Sequence, residues 1–172
     1  MLKNPSEHRL SGLINLPEKR KENLFTAIYA GSLLISLAII YAVHLPNNLW
    51  EEFINFFTSL TLSPIGGGVA LPAPANPAAH IELYTAAFQF ALALSMVEIV
   101  ILTLRILLHS PVKRKGETVE NVVFWLGTSY LTVTYLVNMT IPAEWFIFWS
   151  AEIAMFGLAL IARSFVLLAA KY

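Results

Sequence analysis

Glu98, Glu152 and Arg163 stand well inside long apolar stretches of the chain, and Gln89 joins them. An isolated charge at the centre of a membrane helix costs about 2.5–3.5 kcal/mol even on lenient insertion scales, so such groups are expected to face protein, water or one another. Acids, a cation and hydroxyls held together in that setting can hold water and pass protons or small cations. Asn121, Thr128, Thr132 and Tyr135 extend the set, since on a regular helix they fall within about 40° of one line at 100° per residue. The candidate path for protons or ions therefore comprises Glu98, Glu152, Arg163, Gln89, Tyr135, Thr128 and Asn121. The plainer alternative is a hydrogen-bonded core, in which such groups tie helices together at roughly 0.6 kcal/mol each and conduct nothing.

Four apolar runs must position these residues, at 24–43, 83–104, 122–141 and 145–170. Each has about the 20 residues that a helix rising 1.5 Å per residue needs to cross roughly 30 Å of hydrocarbon. With midpoints near Leu94 and Gly157, Glu98 and Arg163 lie roughly 6 and 9 Å to one side of the midplane, close enough in depth to pair. Glu152, Gln89 and Tyr135 lie roughly 6–8 Å to the other side and form a second expected layer. Gln89 and Glu98 are about 180° apart on a helical wheel, so they require different partners. Small residues on both of their faces suggest a second span buried on two sides, and from this a homo-oligomer or a larger complex of membrane subunits is expected.

The Lys and Arg residues, 11 in all, set the orientation. They precede the first run, join the second to the third, follow the fourth, or sit in the helix halves nearest those segments. The opposite segments carry Glu51, Glu52, Glu82 and Glu144 and no Lys or Arg, so both termini are expected in the cytoplasm, most naturally at the cell membrane. Residues 1–23 read as a basic cytoplasmic arm, with Lys19, Arg20 and Lys21 at the lipid headgroups. Polar residues precede a first run too long for a signal-peptide core, which is expected to remain as an anchor.

Between the first two runs, residues 48–60 alternate at helical spacing and predict a short amphipathic helix in the outer interface. Residues 61–80, rich in Gly and Pro, are expected to form an irregular outer loop. Trp145, Phe146, Phe148 and Trp149 read as an aromatic interface belt. The predicted fold is thus an all-α integral membrane protein: four transmembrane helices in a single bundle plus one extracytoplasmic interfacial amphipathic helix.

Composition removes other chemistries. There is no cysteine, so thiolate catalysis, disulfides, iron–sulfur ligation and Cys-based zinc sites are excluded. The His residues lie at or beyond span ends, without the spacing to ligate haem, and no dinucleotide, zinc-protease or nucleophile-elbow motif occurs. No metal or other cofactor is expected. Topology and the lipid surface explain the basic residues, which leaves no basis for nucleic-acid binding. The layout is loosely similar to several small families, DoxX-type membrane subunits among them, but one glutamate and a helix count transfer neither activity nor site residues. A small conduit for protons or cations is the first functional reading, a non-catalytic accessory subunit of a larger membrane complex the second, and an intramembrane enzyme the third.

Overall fold

A computed structural model describes residues 17–139 and 141–170. The basic arm up to residue 16, Thr140 and Lys171 lie outside this range. The chain is mostly helical: α1 spans Glu18–Val43, α2 Leu49–Thr58, α3 Ile81–Leu107, α4 Val112–Leu131 and α5 Glu144–Ala169. Three segments are long and apolar enough to cross a membrane: Glu18–Val43, Pro77–Leu107 and Glu144–Ala169. Their long Leu, Ile, Val and Ala runs favour helix and leave little polar backbone competition, the conditions under which an apolar segment satisfies its hydrogen bonds internally.

Helix α1 begins six residues before the expected run, so part of the basic arm is helical. Pro17 sets its first turn: the Arg20 and Lys21 amides donate to the Pro17 carbonyl at 2.8 and 3.2 Å. The early start turns Lys21 inward, away from the lipid-headgroup position expected for it. Its side chain is buried and donates to the Leu108 carbonyl at 3.3 Å, capping the C-terminus of α3, where a cation also meets the negative end of the helix dipole.

The long helices stand in a row, with α1 on α3, α3 on α4 and α4 on α5, while α1 and α5 make at most marginal contact. Helix α1 also reaches α4 at the basic end, where Glu22 lies 3.7 Å from Arg114. Helix α3 is covered on two sides, as its small residues imply, but by α1 and α4 of the same chain. Burial on two faces consequently ceases to be an argument for a second copy.

Helix α4 runs directly into a π-helical turn, Thr132–Val137, that ends at Asn138, whose amide donates to the Val133 carbonyl five residues back at 3.1 Å. The wider π winding takes Tyr135 off the line drawn at 100° per residue. The third apolar run is thus not the regular helix through residue 141 expected from hydropathy.

Residues 60–74 are not an irregular loop. Strands β1 (Leu60–Gly66) and β2 (Val69–Pro74) pair as an antiparallel hairpin, and Gly67 and Gly68 supply its two-residue turn with φ of 62° and 78°. Positive φ at both central residues is the type I′ geometry, whose twist matches that of the flanking strands and which glycine adopts without steric cost. Four prolines were expected to forbid a ladder here. Pro64, Pro72 and Pro74 instead all fall on one alternating set of pairs, Leu60↔Pro74, Leu62↔Pro72 and Pro64↔Ala70. In an antiparallel ladder alternate pairs exchange no backbone hydrogen bonds, so a missing N–H costs nothing there.

The hairpin is fixed to the helices by Trp145, whose indole N–H donates to the Pro72 carbonyl at 3.3 Å. Ala73, Tyr84, Leu131, Leu136, Trp145 and Phe148 form the larger apolar core at this end. Of the expected aromatic belt, Trp145 and Phe148 are therefore core residues, while Trp149 remains exposed. A second core, Phe25, Ile101 and Leu108, lies toward the basic end between α1 and α3.

Candidate functional site

The structure brings the expected polar residues together in separate groups, each built between neighbouring helices. At the basic end, Arg105 of α3 makes a two-pronged ion pair with Glu22 of α1 at 2.9 and 3.0 Å. Its guanidinium also lies 4.6 Å from the centre of the Phe25 ring. Although it lies near the helix end, Arg105 is buried, because α1 presents both a carboxylate and an aromatic face to it.

Arg114 of α4 continues the network, 3.7 Å from Glu22 and 2.8 Å from Glu117. Arg163 of α5 reaches Glu120 at 2.8 Å and Glu117 at 3.7 Å. The cations Arg105, Arg114 and Arg163 are thus matched by Glu22, Glu117 and Glu120, in pairs that join α1 to α3, α1 to α4 and α4 to α5.

Glu98 does not pair with Arg163. It lies buried one step deeper on α3 and accepts a 2.8 Å hydrogen bond from the side-chain amide of Asn121 on α4. With Tyr29, Thr118, Asn121 and Arg105 it lines a cleft of about 240 Å³ between α1 and α4, floored by α3. At about 30 Å³ per water in the liquid, and with hydroxyl, amide, carboxylate and guanidinium partners in its walls, the cleft can hold water.

Glu152 of α5 accepts a 3.1 Å hydrogen bond from Thr128 of α4, and its other oxygen is buried without a hydrogen-bond partner. Gln89 and Tyr135 do not complete the expected second layer around it. Gln89 is 3.1 Å from His44 at the end of α1, and Tyr135 packs against the larger apolar core. Gln89 and Glu98 take different partners, as their wheel angle requires. The α4 stripe is divided as well: Asn121 bonds to α3, Thr128 to α5, and Thr132 bonds back to the Thr128 carbonyl at 2.7 Å.

Aromatic rings separate the two acids. Along α4, Phe124 and Trp125 lie between Asn121 and Thr128, with ring centres 5.3 Å apart. Phe124 meets Phe156 of α5 edge-on at 6.2 Å, and Trp125 meets Phe90 of α3 at 6.4 Å. Leu94 of α3 and Ala159 of α5, both 0% exposed, fill the same stretch. The charged basic-end network and the Glu152 pair are consequently separated by side chains that offer a proton or hydrated ion almost nothing to bind.

At the other end, Glu82 accepts a 2.9 Å bond from Asn47, and its carboxylate lies 3.3 Å from Nδ1 of His44, tying the exit of α1 to the start of α3. Nε2 of His80 is 3.1 Å from the Ser59 hydroxyl, and its Nδ1 is 3.5 Å from Glu52, too far for a good hydrogen bond. Among the described residues no group of three or more His, Asp or Glu side chains is placed to hold a metal ion.

Glu22, Glu117 and Glu120 were not singled out in the sequence, because each lies two to five residues outside an apolar run. The available signal was their spacing: Glu117 and Glu120 are three residues apart and so share a helix face.

Three helices long and apolar enough to cross a membrane point to a membrane protein. Comparison with protein-family models, with characterised proteins and with solved structures finds no match.

Proposed function

We propose that the chain is a four-span subunit of a membrane assembly, formed with other membrane chains or with copies of itself, whose intramembrane acids serve to tie its helices. The spans are α1, α3, α5 and the rod from α4 through its π-helical turn. That rod, Val112–Val137, is long enough at 1.5 Å per residue to cross roughly 30 Å, although its first turns are charged. The basic network lies on the cytoplasmic side with both termini, and the hairpin on the outer side. Helix α2 lies in the outer interface, where its exposed Trp50, Phe53, Ile54 and Phe57 meet lipid.

The observation that carries this reading is the aromatic layer between Glu98 and Glu152. A conduit needs polar groups in succession across the membrane, whereas here the acids are engaged locally, by different helices, on either side of Phe124, Trp125 and Phe156. An enzyme using both carboxylates on one bond meets the same obstacle. The conduit remains a second reading because of one feature, the cleft that reaches buried Glu98.

The absence of cysteine makes the topology directly testable. Ile65→Cys, in the hairpin, is expected to react with a membrane-impermeant maleimide added to intact cells, and Lys113→Cys only after lysis. The reverse pattern would invert the orientation. For assembly, a photo-crosslinking side chain in place of Ile153, 76% exposed on α5, is expected to yield a discrete protein adduct in native membranes. Adducts with lipid alone would remove the assembly from the account.

A further inference from the structure

One cavity among the described residues plays no part in the polar network. It is a groove of about 620 Å³ between the outer third of α1, the start of α3 and α2, which roofs it. Leu34, Leu37 and Tyr41 form one wall, Trp50 and Phe53 of α2 the roof, and the small side chain of Ala87 gives depth on α3. Trp50 and Phe53 stack at 5.7 Å with their planes 16° apart, so the roof is a continuous aromatic surface. A water inside needs two to four polar partners, and among the lining side chains the only polar atoms are the Tyr41 hydroxyl and the Trp50 indole N–H. The size is that of a ligand pocket, and the lining suits hydrocarbon.

The groove has a polar end. Tyr41 is one turn before His44, and Leu83 directly follows Glu82, so the Asn47–Glu82–His44 ties stand where the groove reaches the membrane surface. Glu51 follows Trp50 in the roof, and the chain has no Lys or Arg anywhere from residue 22 to residue 104. An anionic headgroup seated there would meet carboxylates with no Lys or Arg beside them, whereas an ammonium group would be attracted to them.

We infer that this groove binds the hydrocarbon chain of a single outer-leaflet lipid whose headgroup carries a primary amine, with the ammonium beside Glu82. The inference rests on α1 and α3 being membrane spans with the hairpin end outward. Occupied in this way, the lipid would buttress α2 against α1 and α3.

The test is native mass spectrometry of the full chain reconstituted in vesicles of equal phosphatidylethanolamine and phosphatidylglycerol and then released in detergent. One retained phosphatidylethanolamine per chain is expected, at least tenfold in excess of phosphatidylglycerol. Ala87→Trp, which fills the groove from an exposed position, is expected to lose the bound lipid while keeping its helical circular dichroism. Glu82→Gln is expected to keep a lipid but lose most of the headgroup preference. Equal or greater retention of phosphatidylglycerol by the wild type overturns the inference, as does undiminished lipid on folded Ala87→Trp. A protein that detergent alone extracts from membranes, yet carries no lipid, sinks the lipid site and leaves the membrane reading standing. A protein that leaves the membrane without detergent sinks both.

Discussion

Arg105→Met is expected to cost about 3–5 kcal/mol of folding stability, the usual consequence of stranding a buried charge. The charge in question is Glu22, whose carboxylate is held at both oxygens by Arg105 and is only 22% exposed. Arg114, 3.7 Å from Glu22, offers partial compensation and places the expectation at the lower end of that range. The arrangement also fixes what should rescue the protein. Replacing both partners, as Glu22→Leu with Arg105→Met, removes the stranded charge and is expected to recover most of the loss, because a well-packed apolar pair often equals a buried ion pair in stability. Unfolding in mixed micelles measures all the variants on one scale. A single mutant within 1 kcal/mol of wild type, a threshold near the ordinary ±0.5 kcal/mol scatter of surface changes, would mean that this pair does not hold α1 to α3.

Gly127→Leu is the second large effect, expected at about 1–3 kcal/mol from overpacking. A Cβ at this position would collide with the Cγ, Sδ and Cε atoms of Met155, so α4 and α5 approach closely because residue 127 has no side chain. Methionine is flexible and can swing aside for one methyl group, which puts Gly127→Ala at the small end of the range. Leucine is too large for that escape and must push the helices apart, disturbing the nearby Thr128–Glu152 hydrogen bond. Gly157 of α5 provides the control: a Cβ there meets nothing within 4 Å, and Gly157→Ala should be neutral or stabilising by up to about 1 kcal/mol through helix propensity. Equal melting of Gly127→Leu and Gly157→Ala would show that the α4–α5 contact is not close.

The apolar runs identified the helices, because a segment that crosses hydrocarbon must carry its signal in composition. Neighbour order was not legible in them. Depth and wheel angle place Glu98 and Arg163 at similar levels, but they do not say that α4 stands between α3 and α5. In the row that results, Asn121 takes Glu98, and Glu120 takes Arg163. The α4 stripe was drawn with a uniform helical period, and the π-helical turn at Thr132–Val137 ends that period where Tyr135 would have joined.

Hydropathy windows also hid half of the charged network. Glu22, Glu117 and Glu120 sit just beyond the apolar runs and so looked like ordinary solvated ends, although they are the counter-charges of Arg105, Arg114 and Arg163. The hairpin was not legible in the number of prolines, because their register decides whether a ladder can form. Once Pro64, Pro72 and Pro74 share the set of pairs that exchange no hydrogen bonds, their presence is compatible with strand.

The most direct measurement of the central claim is flux through liposomes containing only the purified protein, with an internal pH dye and a potassium gradient, comparing wild type with Glu98→Gln. The acids here are helix ties on either side of an aromatic layer, so wild type and Glu98→Gln should both be silent, in preparations whose circular dichroism shows them folded. Proton flux through the wild type that Glu98→Gln abolishes would contradict the account and make the Glu98 cleft the inner half of a conduit.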